Sequence, residues 1–326
     1  MKSKNSLAGC DFLKNQIKIV SIVGPTASGK TKLSVELAKK FNGEIISADS
    51  MQIYKGMQIA TAKPTQEEMC GIKHHLIDFL SADKSYSVAM YVKDASHAIN
   101  EVNAKGCLPI LVGGTGLYVD SLLNNITFSE ECRNEQLCAE LNKINETHGI
   151  NKLLEMLAEF DKDSAERLKE QRNPKRIIRA IEFYKTTGTT ITEQIEKSRL
   201  EGSPYSPIKI GLSCTDRQKL YDRINLRVDI MIENGLLDEA KNVIKSKLSE
   251  TSVKAIGYKE LMPYFNNEKS LDECVDKLKR ETRRYAKRQL TWFKRDADIN
   301  WLYIDEYNSF EELYNDAVSI VERGLK

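Results

Sequence analysis

A chain of 326 residues, 41% hydrophobic and 29% charged, has the composition of a globular protein with room for one large α/β core and a smaller module. No apolar stretch approaches the ~20 residues of a membrane-spanning helix, which excludes a helical membrane span. A net charge of +2 excludes bulk charge as a reason to bind nucleic acid, and seven cysteines without a CxxC pair exclude a disulfide framework and a zinc knuckle.

The N-terminal residues carry Lys2, Lys4 and Lys14 but no apolar signal-peptide core, and read as the leader of a cytoplasmic protein. An apolar run at residues 17–23 leads into Gly24, Pro25, Thr26, Ala27, Ser28, Gly29, Lys30 and Thr31, and a helical pattern follows over 33–41. Strand, glycine-rich turn and helix in this order are the setting of a P-loop. Its backbone N–H groups and helix N-terminus hold a diphosphate, Lys30 reaches bridging phosphate oxygens, and the Thr31 hydroxyl is placed to hold Mg2+.

Further short β-branched runs stand at residues 44–48, 108–112, 208–213 and 299–304, mostly separated by helical patterns. Their continuous hydrophobicity predicts strands covered on both faces. The fold expected is therefore α/β, a P-loop NTPase-like parallel sheet that binds ligands at the C-terminal strand ends, with Gly24, Asp49 and Gly113 on one rim. His74 and His75 read as packing and hydrogen-bonding residues rather than metal ligands. Cys10, Cys70, Cys107, Cys132, Cys138, Cys214 and Cys274 read mostly as small buried hydrophobes.

Residues 130–201 show helical spacing, as in Leu153, Leu157, Phe160 and Ile177, Ile178, Ile181, without a strand. The turn-rich segment 202–207 returns the chain to the sheet, and a helical pattern over 220–293 is interrupted at Asn234-Gly235 and Met262-Pro263. The organisation predicted is a first part of the core at 1–129, an all-helical insertion at 130–203, and completion of the core with basic C-terminal helices at 204–326.

Charge is unevenly spread. Residues 276–295 hold nine Lys/Arg against two acids, and residues 165–185 seven against three. On a helix Lys277, Arg280, Arg284 and Arg288 make one cationic stripe, with Trp292 continuing the same face. Such a stripe is a solvated surface or an RNA-binding one. Nucleoside triphosphatases commonly end a second strand in an acid that helps hold Mg2+. Here run 108–112 is followed by Gly113-Gly114-Thr115-Gly116 without a carboxylate, and the acid is Asp49, after run 44–48.

The segments GPTASGKT (24–31), IISADSMQIYKGMQIATAKP (45–64), HHLID (74–78), ILVGGTGLY (110–118), LYDRINLRV (220–228), AIGYKE (255–260) and AKRQLTWF (286–293) resemble those of bacterial tRNA dimethylallyltransferases, in the family's order and across almost the whole chain. The resemblance implies transfer of a dimethylallyl group from dimethylallyl diphosphate to N6 of adenine 37 of tRNA, with Mg2+. Lys30, Thr31, the loop amides, Thr115 and Arg223 would surround the diphosphate. Asp49 would accept the N6 proton, its competing role being an acid that reaches Mg2+ through water.

By the same resemblance Asp49, Ser50, Met51 and Gln52, then Lys175, Arg176 and Arg179, then Gly257, Tyr258 and Lys259, and finally Arg284, Lys287 and Arg288 fall at tRNA contacts. The family often carries an arginine where this chain has Leu137, with Arg133 as its substitute, and Tyr118 and Trp292 read as core or channel wall. The target adenine would be flipped from an anticodon stem-loop clamped by the insertion and the basic helix of a monomer. The rival readings are an adenylate isopentenyltransferase acting on free AMP, ADP or ATP, a small-molecule kinase, and an RNA-binding module with a vestigial P-loop.

Overall fold

The computed structural model describes residues 16–126 and 134–326; the leader with Cys10, the boundary at 129–130, Cys132 and Arg133 lie outside the described residues. The chain divides into two compact units, one holding the described residues up to Leu123 together with Pro204–Lys326, the other Asn124–Ser203.

The first unit begins with β1 (Ile17–Val23), α1 (Lys30–Phe41), β2 (Gly43–Ser47), the short α2 (Gln66–Met69), β3 (His74–His75), α3 (Val88–Ala104), β4 (Leu108–Gly113) and α4 (Gly116–Leu123). The second unit consists of α5 (Glu135–Ala158), α6 (Lys162–Gln171), α7 (Pro174–Thr187) and α8 (Ile191–Glu201). The first unit resumes with β5 (Tyr205–Ser213), α9 (Arg217–Glu233), α10 (Leu236–Lys245), the short α11 (Met262–Phe265), α12 (Leu271–Phe293), β6 (Asn300–Tyr303) and α13 (Phe310–Leu325).

The six strands form one sheet in the order β3-β2-β4-β1-β5-β6, parallel throughout. Side chains alternate across β1. Ile19 and Val23 join Ile46, Leu111, Tyr91, Ile99 and Tyr118 on one face, while Val20 and Ile22 join Leu33, Leu37, Ile210 and Val321 on the other. Both faces are thus covered, which is why the strands read as unbroken apolar runs. The chain leaves β1 toward β2 on one side and leaves β4 toward β5 on the other. The crevice between these two neighbours is the switch point at which parallel sheets bind ligands.

The sheet differs from the sequence reading at one missed strand and one strand start, while the two histidines make the hydrogen bonds expected of them. His74 and His75 form the edge strand β3, too short to show periodicity, with His75 Nε2 2.6 Å from Glu44 Oε2 and His74 Nδ1 2.9 Å from the Ile72 carbonyl. β5 starts at Tyr205, inside the segment read as a turn. β6 pairs only from Ile210 onward, so Pro207 lies where one flank of β5 is open and its missing N–H breaks no ladder there. The helical pattern over 220–293 also contains a longer irregular stretch than expected, with only a 3-10 turn at Ser252–Lys254 and α11 between α10 and α12.

In the second unit Leu153, Leu157, Ile177, Ile178 and Ile181 are buried together as their spacing predicts, and Phe160 stacks on Tyr184 with ring centroids 3.9 Å apart. Leu137 packs against this core. Of the described cysteines, Cys138, Cys214 and Cys274 are buried, whereas Cys107 is half-buried and Cys70 exposed.

Candidate active site

β1 delivers the chain to Gly24, where φ is +143° and a Cβ would run into the Leu212 carbonyl, so glycine is required. The Pro25 carbonyl then accepts from Ser28 Oγ at 2.9 Å and from Lys30 Nζ at 2.6 Å, which folds the lysine back over its own loop. Gly29, left-handed at φ +84°, caps α1 without a side chain, leaving the first-turn N–H groups open to an anion. From α9, Arg223 Nε donates to the Ala27 carbonyl at 2.9 Å, which ties this guanidinium to the loop. Arg227 follows one turn along the same helix face and feels the charges of Glu68, Asp49, Arg223 and Lys30. Among the described residues none of these three cations has an ion-pair partner within 4.0 Å.

Burial and the adjacent Arg227 guanidinium push the Lys30 ammonium down to about 7, against the attraction of Asp49. A diphosphate seated among these cations restores the charge. The expected result is that kcat/KM for a diphosphate substrate falls above about pH 7 as free Lys30 loses its proton. In a pH–rate series kcat, which reports the bound complex, holds to higher pH.

The opposite wall comes from the ends of β2 and β4. Gly113 presses on Ala48 with no room for a Cβ, Thr115 N–H donates to the Ala48 carbonyl at 3.1 Å, and Ser50 N–H donates to Thr115 Oγ1 at 3.1 Å. Asp49 Oδ1 accepts the N–H groups of Met51 at 2.8 Å and Gln52 at 3.3 Å. Both bonds fall on one oxygen, so Oδ2 carries no donor from the described residues. Burial raises the Asp49 pKa, while those two N–H groups, Lys30 and Arg227 pull it down. A carboxylate whose ionised form is disfavoured by burial is a stronger proton acceptor.

Mg2+ takes oxygen ligands in an octahedron, keeps several waters and commonly shares substrate phosphates. Thr31, in the first turn of α1, offers a hydroxyl that no described residue engages, and Asp49 offers a carboxylate. No cluster of three His, Cys, Asp or Glu exists among the described residues, so these donors fit an ion held chiefly by substrate and water.

The family model described as IPP transferase matches residues 52–296. A tRNA dimethylallyltransferase of Caldanaerobacter subterraneus subsp. tengcongensis is 46% identical over 313 residues, 95% of this chain and 99% of its own length. The chain belongs to the IPP transferase family. The crystal structure of the full-length tRNA isopentenylpyrophosphate transferase of Bacillus halodurans is similar at TM-score 0.69 and 43% identity, over 94% of this chain and 97% of that one. A eukaryotic dimethylallyltransferase described as acting on tRNA is similar at TM-score 0.76 and 28% identity, over 93% and 80% of the two chains.

For this family member the structure sorts the residues read as tRNA contacts. Arg284, Lys287 and Arg288 are exposed on α12, Arg284 Nη1 lying 2.7 Å from Glu281 and Arg288 resting over the Tyr285 ring. Lys175, Arg176 and Arg179 are exposed on α7, but Arg179 is paired at 2.6 Å with the buried Glu182 and Arg176 is bonded to Gln171. Lys259 is exposed, whereas Gly257 is buried and Tyr258 is only 3% exposed with its hydroxyl 2.9 Å from Glu239. Gln52 is likewise spent internally, its amide donating to the Thr61 and Ala62 carbonyls, and Met51 packs on the core. Trp292 leaves the cationic stripe, donating Nε1–H to Asp120 at 2.7 Å against Gly116, and Tyr118 stacks on Tyr91 in the core. Gly257 and Tyr258 are thus buried rather than exposed, the half-buried Gln52 has its amide engaged within the fold, and Trp292 and Tyr118 pack against the core as read.

Three residues of the site were missed in the sequence. Arg227 was signalled by its i,i+4 spacing from Arg223. Gln289 lies in the AKRQLTWF segment that carries the resemblance, but the bridging role of its side chain had no signal, nor had Tyr285, since the groups they meet lie about 170 to 260 positions away in the chain.

Proposed function

We propose that this chain transfers the dimethylallyl group of dimethylallyl diphosphate to N6 of adenine 37 in the anticodon loop of tRNA, releasing diphosphate. The observation that carries this reading is the unpaired Lys30, Arg223 and Arg227 set beside Asp49, a carboxylate with one oxygen free. The cations attract the departing anion, and the free oxygen accepts a proton. No acid follows β4, which disfavours phosphoryl transfer to an acceptor hydroxyl.

In the reaction the allylic C–O bond breaks and its electron pair leaves with the diphosphate, stabilised by Lys30, Arg223, Arg227 and the loop amides. N6 bonds to the allylic carbon, and its proton passes to Asp49 Oδ2. The Thr31 hydroxyl would help to hold Mg2+, which when bound would supply charge neutralisation at the leaving group. Thr115, hydrogen-bonded to Ser50, holds the rim between the two substrates.

The exposed cations of α12 bind the tRNA backbone, and those of α7 are a separate set of candidate contacts. A monomer in the cytoplasm suffices for this, and no helix among the described residues is long and apolar enough to cross a membrane. Removing Arg284 and Arg288 together by alanine is expected to weaken tRNA binding and to make the slope of log K against log salt shallower by about 1 for each phosphate that is no longer neutralised. An unchanged slope in a salt-titrated binding assay returns that face to plain solvated surface.

The deciding assay supplies labelled dimethylallyl diphosphate and Mg2+ with either tRNA or AMP, and tests ATP hydrolysis separately. Label entering tRNA alone is the expected result. Label entering AMP identifies an adenylate isopentenyltransferase, and ATP turnover a kinase.

A further inference from the structure

α12 carries cations outward and, on its inner side, the amide of Gln289, only 5% exposed. Its Oε1 accepts the Thr26 N–H of the P-loop at 2.9 Å, and its Nε2 donates to the Gly114 carbonyl after β4 at 3.0 Å. A Cβ at Gly114 would collide with that nitrogen, so the glycine is the seat of the amide. One turn earlier, the buried Tyr285 hydroxyl lies beside Thr115 and Gln289. One side chain therefore spans the two loops that meet at the switch point.

We infer that Gln289 is a positioning residue for prenyl transfer: it holds the diphosphate loop at a fixed separation from the Gly113–Thr115 loop and, through Thr115 and Ser50, from Asp49. This rests on the function proposed above. The chemistry requires an allylic carbon placed between a leaving group on one loop and a proton acceptor stitched to the other, and rate is steep in that separation. Only glutamine meets the geometry. It has an acceptor and a donor on one planar group at this reach; glutamate lacks the donor and adds a negative charge beside the diphosphate, and asparagine is one methylene short.

The test uses Gln289→Met, which keeps the volume and removes both hydrogen bonds, with Gln289→Asn as a second variant should the first fail to fold. Single-turnover transfer is measured alongside the affinity for inorganic pyrophosphate with Mg2+ and the affinity for tRNA. Expected is a transfer rate lower by ~30- to 100-fold, with both affinities within about threefold of the parent, because the groups that bind remain and only their alignment is lost. Gln289→Asn, which retains both functional groups, is expected to lie between. An unchanged rate overturns the assignment. So does a fall in rate matched by an equal loss of pyrophosphate affinity, which makes Gln289 a builder of the anion cradle alone, or a parallel loss of all three, which makes it purely structural. Failure of the parent protein itself to transfer label to tRNA counts instead against the function proposed above.

Discussion

Asp49→Ala is expected to lower the single-turnover rate of prenyl transfer by on the order of 10²-fold or more while tRNA affinity stays within about twofold. The exocyclic amine of adenine is a poor nucleophile, and its proton becomes acidic only as nitrogen closes on carbon. Asp49 is built for that moment, with Oδ1 fixed by the Met51 and Gln52 N–H groups and Oδ2 free. Asp49→Asn separates chemistry from architecture, because its carbonyl oxygen accepts the same two N–H bonds while the basic oxygen is gone. Its rate is expected to fall as far as that of the alanine variant. Since burial raises the carboxyl pKa in the folded chain, the folded state holds its proton more tightly than the unfolded one. Stability from this group is therefore lost as pH rises through the folded pKa, and Asp49→Asn is expected to melt at a higher temperature than the parent at neutral pH. Rates from quenched-flow transfer and affinities from filter binding decide the matter. A loss of tRNA affinity as large as the loss of rate identifies Asp49 as a binding residue.

Lys30→Met is expected to lower kcat/KM for dimethylallyl diphosphate by ~10²- to 10³-fold, with tRNA affinity unchanged. The ammonium is the member of the cation cluster that emerges from the loop itself, and it opposes the charge that grows on the departing oxygens. Methionine keeps the length and removes the charge. The thermal signature has the opposite sign. Lys30 titrates at about 7 in the folded chain against 10.5 for a free lysine, so between those values the unfolded chain binds the extra proton. Stability of the parent therefore rises with pH across that window, and the Lys30→Met variant lacks this increment. Comparing the two melting temperatures from pH 7 to 10 isolates the group. Identical pH dependence shows that Lys30 stays charged in the free protein, and an unchanged kcat/KM removes it from the leaving-group site.

Much of this site was legible in one dimension because its parts are local. The P-loop is eight consecutive residues whose glycines and lysine act through their own backbone, and Gly24, Asp49 and Gly113 fall together once three apolar runs are read as parallel strands. The helical insertion was legible for the same reason, its apolar spacing matching the face that α5 and α7 bury. β3 escaped because two residues carry no period, and the start of β5 because Pro207 and its neighbours have turn composition.

Polar side chains were harder to assign, because sequence shows their chemistry but not their partners. Gln52 and Tyr258 have the makeup of RNA contacts, yet their polar groups are engaged by Thr61 and Ala62 and by Glu239. A buried polar group must find a partner within the fold, so each is claimed by whichever neighbour the packing brings within about 3 Å.

By itself, then, the amino-acid order determined a parallel sheet, a phosphate-holding turn after its first strand, and an acid beside that turn. Those follow from short-range backbone sterics and hydrophobic period, which need no knowledge of distant residues. Only the tertiary structure decided that Arg227 joins Lys30 with no ion-pair partner within 4.0 Å among the described residues, that one oxygen of Asp49 is left free, and that Gln289 joins two loops from a helix far along the chain. Electrostatic and hydrogen-bonding roles depend on distance in space, and folding sets that distance through burial of the two apolar faces of the sheet.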